Sequence, residues 1–386
     1  MPIQKINIEE FLKLAKQYPV LDVRSPGEYK HAHTPTAHSL PLFSDEERKQ
    51  VGTAYKQQSR EAAIKIGLDY FGVKMKGMVE QAESIVGSRQ WAVGNQQAAQ
   101  SELPTANCVL VHCWRGGMRS AAVAWLLDMY GFKVYLLAGG YKAYRKWVLA
   151  QFEKEYTFNI IGGYTGSGKT LVLHELGKQH KKTIDLEGLA NHKGSAFGAI
   201  ENMPQPGQEM FENFLAQALA QSAVGSGQLA NRSEHHAFIA NCPLPIANCI
   251  WLEDESQRIG NLQIPMPLWY SMRKAPVFFM DIPFEVRLNY ITEDYGQQKK
   301  ETLQEAIIRI QKRLGGLETK NALRFLEENN YKECFRILLC YYDKWYVKGL
   351  HNRNSIDTLL NKIPCTGVDT KINIQKILSC NIVSVS

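Results

Sequence analysis

The sequence predicts an α/β protein in which two parallel-sheet units, each covered by helices, follow one another along the chain. Three observations support this fold class. Short apolar runs ending in polar turn residues alternate with segments of helical period, glycine-rich loops follow two of the apolar runs, and 386 residues suffice for two or three domains. Such alternation is typical of parallel sheets, because neighbouring parallel strands need a crossover segment between them.

The first part of the chain alternates helix and strand around a helical insert. We predict a helix in IEEFLKLAKQY, a buried strand in PVLDVRS, and a helix-rich insert over about 44–87. The strand NCVLVHC, the helix MRSAAVAWLLDMY with Gly131 as its end signal, and the strand KVYLLAGG follow. This order places Cys113 at the carboxyl end of a parallel strand, where such folds bind their ligands.

A second unit of the same kind follows the predicted helix YKAYRKWVLAQFEKEY. TFNIIGGYTGSGKTLVLHELGKQ reads as strand, glycine-rich loop and helix, and KTIDLEGL, NCIWLEDES and APVFFMDIP are further strand candidates that end in acidic residues. Residues 302–346 are predicted to be helical, and TLQEAIIRIQKRL is strongly amphipathic. The segment after His351 carries no pattern that predicts structure.

The composition indicates a soluble, cytoplasmic protein without a membrane span. Apolar residues make up 45% and charged residues 22%, and no window approaches eighteen uninterrupted apolar residues. The net charge of +7 is concentrated in residues 1–150, with 19 Lys and Arg against 13 Asp and Glu, whereas the remainder has 26 against 25. This surplus fits a polyanionic partner such as RNA, and fits an ordinary basic surface equally well.

The eight cysteines argue against a structural metal site, since they form no C-x-x-C pair and no His/Cys cluster at zinc spacing. Cys113 stands apart because of its loop, VHCWRGGMRS. Two glycines, Arg115, Arg119 and the start of a helix would lower the pKa of the thiol and bind an oxyanion such as phosphate, thiosulfate or selenophosphate. Together with His112, however, the loop also fits the H-C-x5-R pattern of cysteine-dependent phosphatases.

The segment GYTGSGKT has the G-x-x-x-x-G-K-[ST] pattern of a phosphate-binding loop between a strand and a helix. The residues predicted to bind a diphosphate are Gly163, Gly166, Ser167, Gly168, Lys169 and Thr170. Thr170 would also bind Mg²⁺, although no firm metal site is predicted. The predicted supporting acids are Asp185, Glu253, Asp254 and Glu255. These acids could instead cap helices or pair with Arg258, and a ligand other than ATP or GTP stays open.

The cysteine loop with its flanks resembles a rhodanese active-site loop. VLDVRSPGEYKHAHTPTAHSLPL before it and LLAGGYKAYRKWV after it resemble the two flanking rhodanese segments. Two features depart from that family. Five residues, where four are more usual, separate Cys113 from Arg119, and Ala32 and Thr36 replace the usual glycines. Rhodanese-related phosphatases and arsenate reductases share the longer spacing.

Further segments resemble the tRNA 2-selenouridine synthase family, in its order. They are LPLFSDEERKQVGTAYKQQSREAAIKIG, CWRGGMRSAA, GGYTGSGKT, IDLEGLANHKGSAFG, WLEDESQRIGNLQIP and YYDKWY, within Ile8 to Tyr346. The resemblance implies a rhodanese-like domain at 1–148, a P-loop domain at 149–300 and a helical region at 301–350 packed on it. The tail at 351–386 stays unassigned.

The resemblance also implies an activity and its substrates. Members replace the sulfur of wobble 2-thiouridine in tRNA with selenium from selenophosphate, and they are associated with S-geranylation by geranyl diphosphate. Lys169 and Thr170 would then bind the geranyl diphosphate, while Cys113, Arg115 and Arg119 would handle selenophosphate. The second arginine and the extra loop residue would fit the cysteine loop to selenophosphate. No tightly bound cofactor is implied.

The implied partner is the tRNA anticodon arm, and a selenophosphate-supplying protein is a second implied partner. DNA binding is not implied. The candidate phosphate contacts are Lys142, Arg145, Lys146, Lys312 and Arg313. Tyr141, Tyr144 and Trp147 would stack on an extruded base, or would simply pack in the core. Two rival readings remain: a cysteine phosphatase or arsenate reductase fused to a nucleotide-binding domain, and a non-catalytic P-loop RNA-binding adaptor.

Overall fold

The computed structural model describes residues 3–94, 107–192, 204–223, 249–296 and 298–380. The chain divides into two compact units, Met1–Ala150 and Gln151–Ser386. Both are α/β units built on parallel sheets, so the predicted fold class is confirmed. Among the described helices, none combines the length and apolar character that crossing a bilayer requires.

The first unit contains a five-stranded parallel sheet. Its strands are β1 (Gln4–Ile6), β2 (Val20–Asp22), β3 (Ala37–Ser39), β4 (Cys108–His112) and β5 (Lys133–Leu137). They lie in the order β1-β5-β4-β2-β3, and all pairs are parallel. Every residue of the central strand β4 is buried, and the next residue is Cys113, as the sequence predicts.

Six helices accompany this sheet in the described part of the first unit. They are α1 (Ile8–Leu14), α2 (Pro26–His31), α3 (Asp45–Gln57), α4 (Arg60–Gly94), α5 (Met118–Tyr130) and α6 (Gly140–Phe152). A capping box begins α3, in which Ser44 Oγ accepts from the Glu47 N–H and Glu47 accepts from the Ser44 N–H. The predicted end signal at Gly131 is confirmed, since this glycine closes α5 at a φ of 108°.

The predicted helical insert forms α3 and α4, and α4 continues past its expected end. The insert belongs to the core of the unit. Five buried side chains of α4 share one apolar cluster with Val109 and Val111 of β4: Phe71, Met78, Val79, Ala82 and Val86. Removing the insert would therefore expose the helix-covered side of the central strand.

The start of α6 packs directly on the cysteine loop. The Tyr141 N–H donates to the Cys113 carbonyl at 2.8 Å, and the Lys142 N–H donates to the Trp114 carbonyl at 3.0 Å. Gly140 has a φ of +60°, and a Cβ there would lie 2.3 Å from the Cys113 oxygen. Only glycine fits this position, because both the space and the backbone conformation exclude a side chain.

We expect Gly140→Ala to lower the free energy of unfolding of the first unit by at least about 1–3 kcal/mol, the usual range for a strained backbone alone. The control is Gly117→Ala in the same loop, where φ is −101° and nothing lies within 4 Å of an added Cβ. Thermal unfolding of the full-length variants measures both effects. Equal stability of the two variants would show that Gly140 is not constrained by the cysteine loop.

The second unit also contains a five-stranded parallel sheet. Its strands are β6 (Phe158–Gly163), β7 (Lys182–Ile184), β8 (Ile250–Glu253), β11 (Val277–Asp281) and β12 (Leu360–Pro364). Their order is β12-β11-β6-β8-β7, and all pairs are parallel. An antiparallel pair, β9 (Arg258–Ile259) and β10 (Leu262–Gln263), lies between β8 and β11 in the chain.

Ten helices surround this second sheet in the described residues. They are α7 (Lys169–Lys178), α8 (Leu186–Leu189), α9 (Gln208–Ala223), α10 (Met266–Arg273), α11 (Phe284–Tyr295), α12 (Lys300–Leu314), α13 (Gly316–Glu327), α14 (Tyr331–His351), α15 (Ile356–Leu359) and α16 (Thr370–Ser379). The predicted helical region is confirmed as α12, α13 and α14. These three helices share an apolar cluster with α11, to which Leu288, Ile307, Leu326 and Phe335 contribute.

The segment after His351, which carries no predictive pattern, completes the second sheet. β12 pairs with β11 along its whole length, from Val277 opposite Leu360 to Asp281 opposite Pro364. α16 follows and places Ile374 and Ile377 in the same apolar cluster as Val172 and Leu176 of α7. β12 shows no apolar run because it is an edge strand in which only Ile363 is buried.

Candidate functional site

The first anion site is the turn between β4 and α5. The Cys113 side chain is 3% exposed, and its Sγ lies 3.2 Å from Ser120 Oγ in the first turn of α5. Gly116 adopts a φ of +65°, and a Cβ there would lie 2.7 Å from the Leu137 carbonyl oxygen. The loop is thus tightly wound around the sulfur, with the N-terminal end of a helix beside it.

The environment of Cys113 favours the thiolate. Burial raises the pKa of the thiol, but the interactions that stabilise its anion outweigh burial and hold the pKa below its ordinary value. These interactions are hydrogen bonds from the Ser120 hydroxyl and from the backbone N–H groups of Ser120 and Arg115, and the charge of Arg119. A thiolate is the reactive form of cysteine, so the loop prepares Cys113 as a nucleophile.

Replacing Ser120 by alanine should move the titration of Cys113 to higher pH. The folded-state pKa is lowered, so the thiolate persists to a lower pH than in a free thiol, and loss of the hydroxyl removes the foremost stabilising contact. The pH dependence of iodoacetamide alkylation, followed on the Cys113 peptide by mass spectrometry, measures this shift. The exposed Cys340 is the internal reference. An unchanged midpoint at Cys113 would contradict a role for Ser120.

The two predicted arginines occupy different positions. Arg119 is partly buried and donates to Glu28 Oε2 at 2.8 Å, and Arg48 lies 3.6 Å from the same oxygen. Burial raises the pKa of Glu28, but Arg119, the Ser25 N–H and Arg48 together hold it below its ordinary value. Arg115 contributes its backbone N–H to the sulfur, and its side chain is exposed.

The flanking segments quoted for the rhodanese resemblance meet next to the loop. Asp22 and Arg24 form a fully buried ion pair at 2.6 Å, and Arg24 also donates to the Ala32 carbonyl at 2.7 Å. The Arg24 guanidinium lies 3.8 Å from the centre of the Tyr141 ring, a cation–π distance. The residues of DVR and GGY therefore support the cysteine loop.

The second anion site is the turn between β6 and α7. Gly163, Gly166 and Gly168 all have positive φ angles, 152°, 80° and 72°, and a Cβ at Gly166 would lie 2.6 Å from Ile291. Lys169 Nζ donates to the Gly163 carbonyl at 3.0 Å, across the mouth of the loop. The predicted phosphate-binding residues thus form one compact turn with a cation over it.

A chain of polar contacts runs from this loop to the acidic end of β8. Thr170 Oγ1 donates to Glu187 Oε2 at 2.9 Å, and the Glu187 N–H donates to Glu253 Oε1 at 2.8 Å. Glu253 is fully buried. Burial and the nearby charges of Asp185 and Glu187 raise its pKa well above the ordinary value, against the opposing N–H of Glu187. Of the predicted acids, Glu253 is therefore connected to Thr170, with Glu187 as the intermediate residue.

The other predicted acids have different partners. Asp185 caps α8 by accepting from the Gly188 N–H at 2.6 Å and lies 2.6 Å from His174 Nε2, so the helix-capping alternative is right for this residue. Asp254 pairs with Arg353, and not with Arg258 as the alternative had it.

Glu255 is half-buried. Burial and Glu187 raise its pKa, against the charge of Lys169. Within the described ranges, no three His, Cys, Asp or Glu side chains are grouped as a metal site.

Helix α14 braces the phosphate loop. The Tyr346 hydroxyl accepts from the Gly163 N–H at 3.1 Å and donates to Asp254 at 2.7 Å. Arg287, 2% exposed, donates to the Thr165 carbonyl at 3.0 Å and to both carboxylate oxygens of Asp343, at 3.0 and 2.7 Å. The segment YYDKWY therefore contacts the phosphate loop directly through Tyr346, and indirectly through Asp343 and its partner Arg287.

Some of the candidate RNA-binding residues are exposed in the structure, and others are buried. Lys142 and Lys146 on α6 are exposed, and Arg145 is half-buried. Tyr141 and Tyr144, in contrast, are 0% and 1% exposed and pack against each other at 5.8 Å, so base stacking on them is wrong because their rings belong to the core. Lys312 and Arg313 are exposed near the end of α12, and their contact with RNA stays a prediction.

An activated cysteine on one parallel-sheet unit and a phosphate loop on the next define a protein that combines the rhodanese and P-loop classes. Family models match both parts: a rhodanese-like domain at residues 74–146 and a tRNA 2-selenouridine synthase AAA domain at residues 156–359. The chain belongs to the tRNA 2-selenouridine synthase family.

Full-length relatives agree with the family models. The tRNA 2-selenouridine synthase of Shewanella frigidimarina is 32% identical, over 88% of this chain and 90% of its own. That of Hydrogenovibrio crunogenus is 34% identical, over 86% and 89%. That of Bdellovibrio bacteriovorus is 31% identical, over 92% and 95%. The similarity therefore extends over both units, including segments beyond the two loops.

Several residues of the two sites lie outside the sequence-based predictions. They are Glu28, Ser120, Glu187, Arg287, Asp343 and Tyr346. All but Arg287 stand in segments that carry the family resemblance, namely DVRSPGEY, CWRGGMRSAA, IDLEGLA and YYDKWY. The segments were visible in the sequence, but the contacts that give each residue its task depend on the fold.

Proposed function

We propose that the protein replaces the sulfur of wobble 2-thiouridine in tRNA with selenium, through an S-geranyl intermediate. One observation carries the proposal: a chain of this family combines a thiolate-stabilising anion loop with a separate phosphate loop. Two anion sites suit a reaction with two phosphate-bearing substrates. The name of the relatives gives tRNA as their substrate, and the basic surplus of residues 1–150 suits such a partner.

In the first step, the phosphate loop binds the diphosphate of geranyl diphosphate. The thiocarbonyl sulfur of the uridine attacks the geranyl carbon, so that a C–S bond forms, the C–O bond breaks, and diphosphate leaves with the proton that the uridine N3 releases. Lys169 turns from the Gly163 carbonyl to the diphosphate and offsets the charge that develops on the leaving oxygen. S-alkylation prepares the sulfur for departure, since a thiol is a better leaving group than sulfide.

In the second step, the cysteine loop takes selenophosphate. Arg119, Arg115 and the loop amides bind the phosphoryl oxygens, and Cys113 positions or attacks the selenium. Selenium then bonds to C2 of the uridine, the C–S bond breaks, and geranylthiol leaves with a proton. Water takes up the phosphoryl group as inorganic phosphate, which balances the reaction.

Mg²⁺ is suited to the phosphate loop because the residues there offer oxygen ligands. The Thr170 hydroxyl lies against the Glu187 carboxylate, and one oxygen of the buried Glu253 has no partner in the described part of the chain. Thr170 and Glu187 would hold the ion, which otherwise keeps water and phosphate ligands. When bound, it would neutralise diphosphate charge.

The phosphatase alternative is weakened by the state of Glu28. A cysteine phosphatase needs a protonated acid beside the leaving oxygen. The carboxylate bound to Arg119 has a lowered pKa and is ion-paired, so it is ionised at neutral pH. Turnover of an aryl phosphate that is lost in Cys113→Ser would nevertheless restore this alternative.

The proposal is tested by incubating the protein with 2-thiouridine tRNA, geranyl diphosphate and selenophosphate in the presence of Mg²⁺. Nucleosides from the digested tRNA are then separated and identified by mass spectrometry. We expect geranylthiouridine with geranyl diphosphate alone and selenouridine when both donors are present. Unmodified tRNA in every mixture would contradict the proposal, and tight binding of that tRNA would favour the adaptor.

A further inference from the structure

A cleft of 640 Å³ opens beside the cysteine loop, entirely within the first unit. Trp114, the residue after Cys113, lines it together with Arg24, Glu28, Arg48 and Arg119. Neither Trp114 nor Arg48 has a task in the mechanism described so far. The volume is well above that of a single nucleotide, so the cleft has room for one together with part of its chain.

Trp114 is held firmly on one side and open on the other. Its carbonyl accepts from the Lys142 N–H at 3.0 Å, its ring centre lies 5.7 Å from that of Tyr141, and the Arg24 guanidinium lies 5.9 Å away. The side chain nevertheless remains 38% exposed and lines the cleft. A large aromatic ring that is fixed from behind and open in front is a stacking surface for a planar ligand.

The rim of the cleft carries the charges that a nucleotide phosphate needs. Glu28 lies between Arg48 and Arg119, and Asp45, a second acid of the lining, is held by the Gly27 N–H. The Arg48 side chain, on the inserted helix α3, is 49% exposed, and its 3.6 Å contact with Glu28 is long enough for it to turn toward an anion. A guanidinium binds phosphate oxygens in two parallel hydrogen bonds.

We propose that this cleft binds the nucleotide to be modified, with its pyrimidine ring stacked on Trp114 and its phosphate bound by Arg48. The inference rests on the proposed function and names the place of the uridine. Because Trp114 directly follows Cys113 in the chain, a base on its ring lies beside the reactive loop. The inserted helix α3 would thereby become part of the RNA-binding surface.

The position of the base is tested by photo-crosslinking. An anticodon stem-loop RNA with 5-bromouridine at the wobble position is irradiated with the full-length protein, and the crosslinked peptide is identified by mass spectrometry. We expect the crosslink in the peptide that contains Trp114. The same RNA with 5-bromouridine in its stem should not label that peptide. A wobble crosslink in any other peptide would overturn the proposal.

Variants at Trp114 test the stacking itself. Loss of one base–aromatic stack weakens binding roughly fivefold to a hundredfold, so we expect this change in the Kd of the 2-thiouridine stem-loop for Trp114→Ala. Trp114→Phe should bind nearly as the unchanged protein does. The control is Trp125→Ala on α5, an exposed tryptophan (51%) that does not line the cleft. Equal affinity of Trp114→Ala and Trp125→Ala would overturn the inference.

The two proposals fail in different ways. Binding and crosslinking need no turnover, whereas the proposed function is judged by the nucleosides that the unchanged protein forms. Selenouridine formation with a crosslink outside the cleft would contradict only the proposed base-binding site. A crosslink at Trp114 without any modified nucleoside would support the proposed base-binding site and contradict the proposed reaction. No binding and no modification would remove both.

Discussion

Lys169→Ala should strongly slow geranyl transfer to 2-thiouridine tRNA, whereas Cys113→Ala should leave geranyl transfer intact and abolish selenium incorporation. Removing one preorganised charge donor from a transition state slows a reaction about 10²–10³-fold, and we expect a loss of this size for Lys169→Ala. The expectation follows from the proposed division of labour, in which each loop serves one phosphate-bearing substrate. Lys169 donates to the Gly163 carbonyl at 3.0 Å and lies 5.7 Å from the centre of the Tyr346 ring, and losing these two contacts should spare the fold.

Two substrates separate the steps. With 2-thiouridine tRNA, Cys113→Ala should accumulate geranylthiouridine, and Lys169→Ala should leave most of the nucleoside unchanged. With tRNA that is already S-geranylated, Lys169→Ala should form selenouridine, while Cys113→Ala should not. Matched controls are Lys178→Ala, an exposed lysine at the end of α7, and Cys340→Ala, an exposed cysteine on α14. Equal loss of both steps in both loop variants would contradict separate sites.

Asp343→Ala should destabilise the second unit by about 3 kcal/mol, because it leaves the charge of Arg287 buried without its partner. The Arg287 side chain is 3% exposed, and its other acceptors are neutral carbonyl groups, among them that of Thr165 in the phosphate loop. The loop should loosen as well. We therefore expect slower geranyl transfer and faster hydrogen exchange in the peptide that spans the loop.

The same two helices provide the control for this prediction. Glu285 on α11 and Arg336 on α14 form an ion pair like that of Arg287 and Asp343, but the Glu285 side chain is 59% exposed. Exposed pairs contribute at most about 1 kcal/mol, so Glu285→Ala should change stability little. Urea unfolding of the full-length variants, with hydrogen exchange to assign the second unit, compares them. Equal losses would show that the Arg287 pair is not a buried anchor.

Sequence patterns located the interior strands of both sheets and the edge strand β7, but missed the other three edge strands, β1, β3 and β12. β4 and β6 are fully buried and read as apolar runs, so their place and type were predictable. β3 and β12 each bury one residue, and such short edge strands give neither an apolar run nor a clear alternation. Their pairing depends on neighbours that are distant in the chain.

The loops of the candidate site were predictable, and most of their partners were not. Local spacing identifies Lys169 and Thr170, because the motif requires them beside each other. Tyr346, which accepts from the Gly163 N–H, stands 183 positions away. Spacing also leaves Asp185 and Glu253 as equal candidates, and only the fold shows that the first caps a helix while the second reaches Glu187.

The edge position of β12 has a consequence for synthesis on the ribosome. Residues that build the first sheet end with β5, so that sheet has all its strands while the second half of the chain is still being translated. The second sheet is incomplete until β12 has been made, and its phosphate loop lacks the Tyr346 hydroxyl until α14 has been made. Nascent chains should therefore carry a finished cysteine loop before they carry a finished phosphate loop, and a product of early termination should expose the edge of β11.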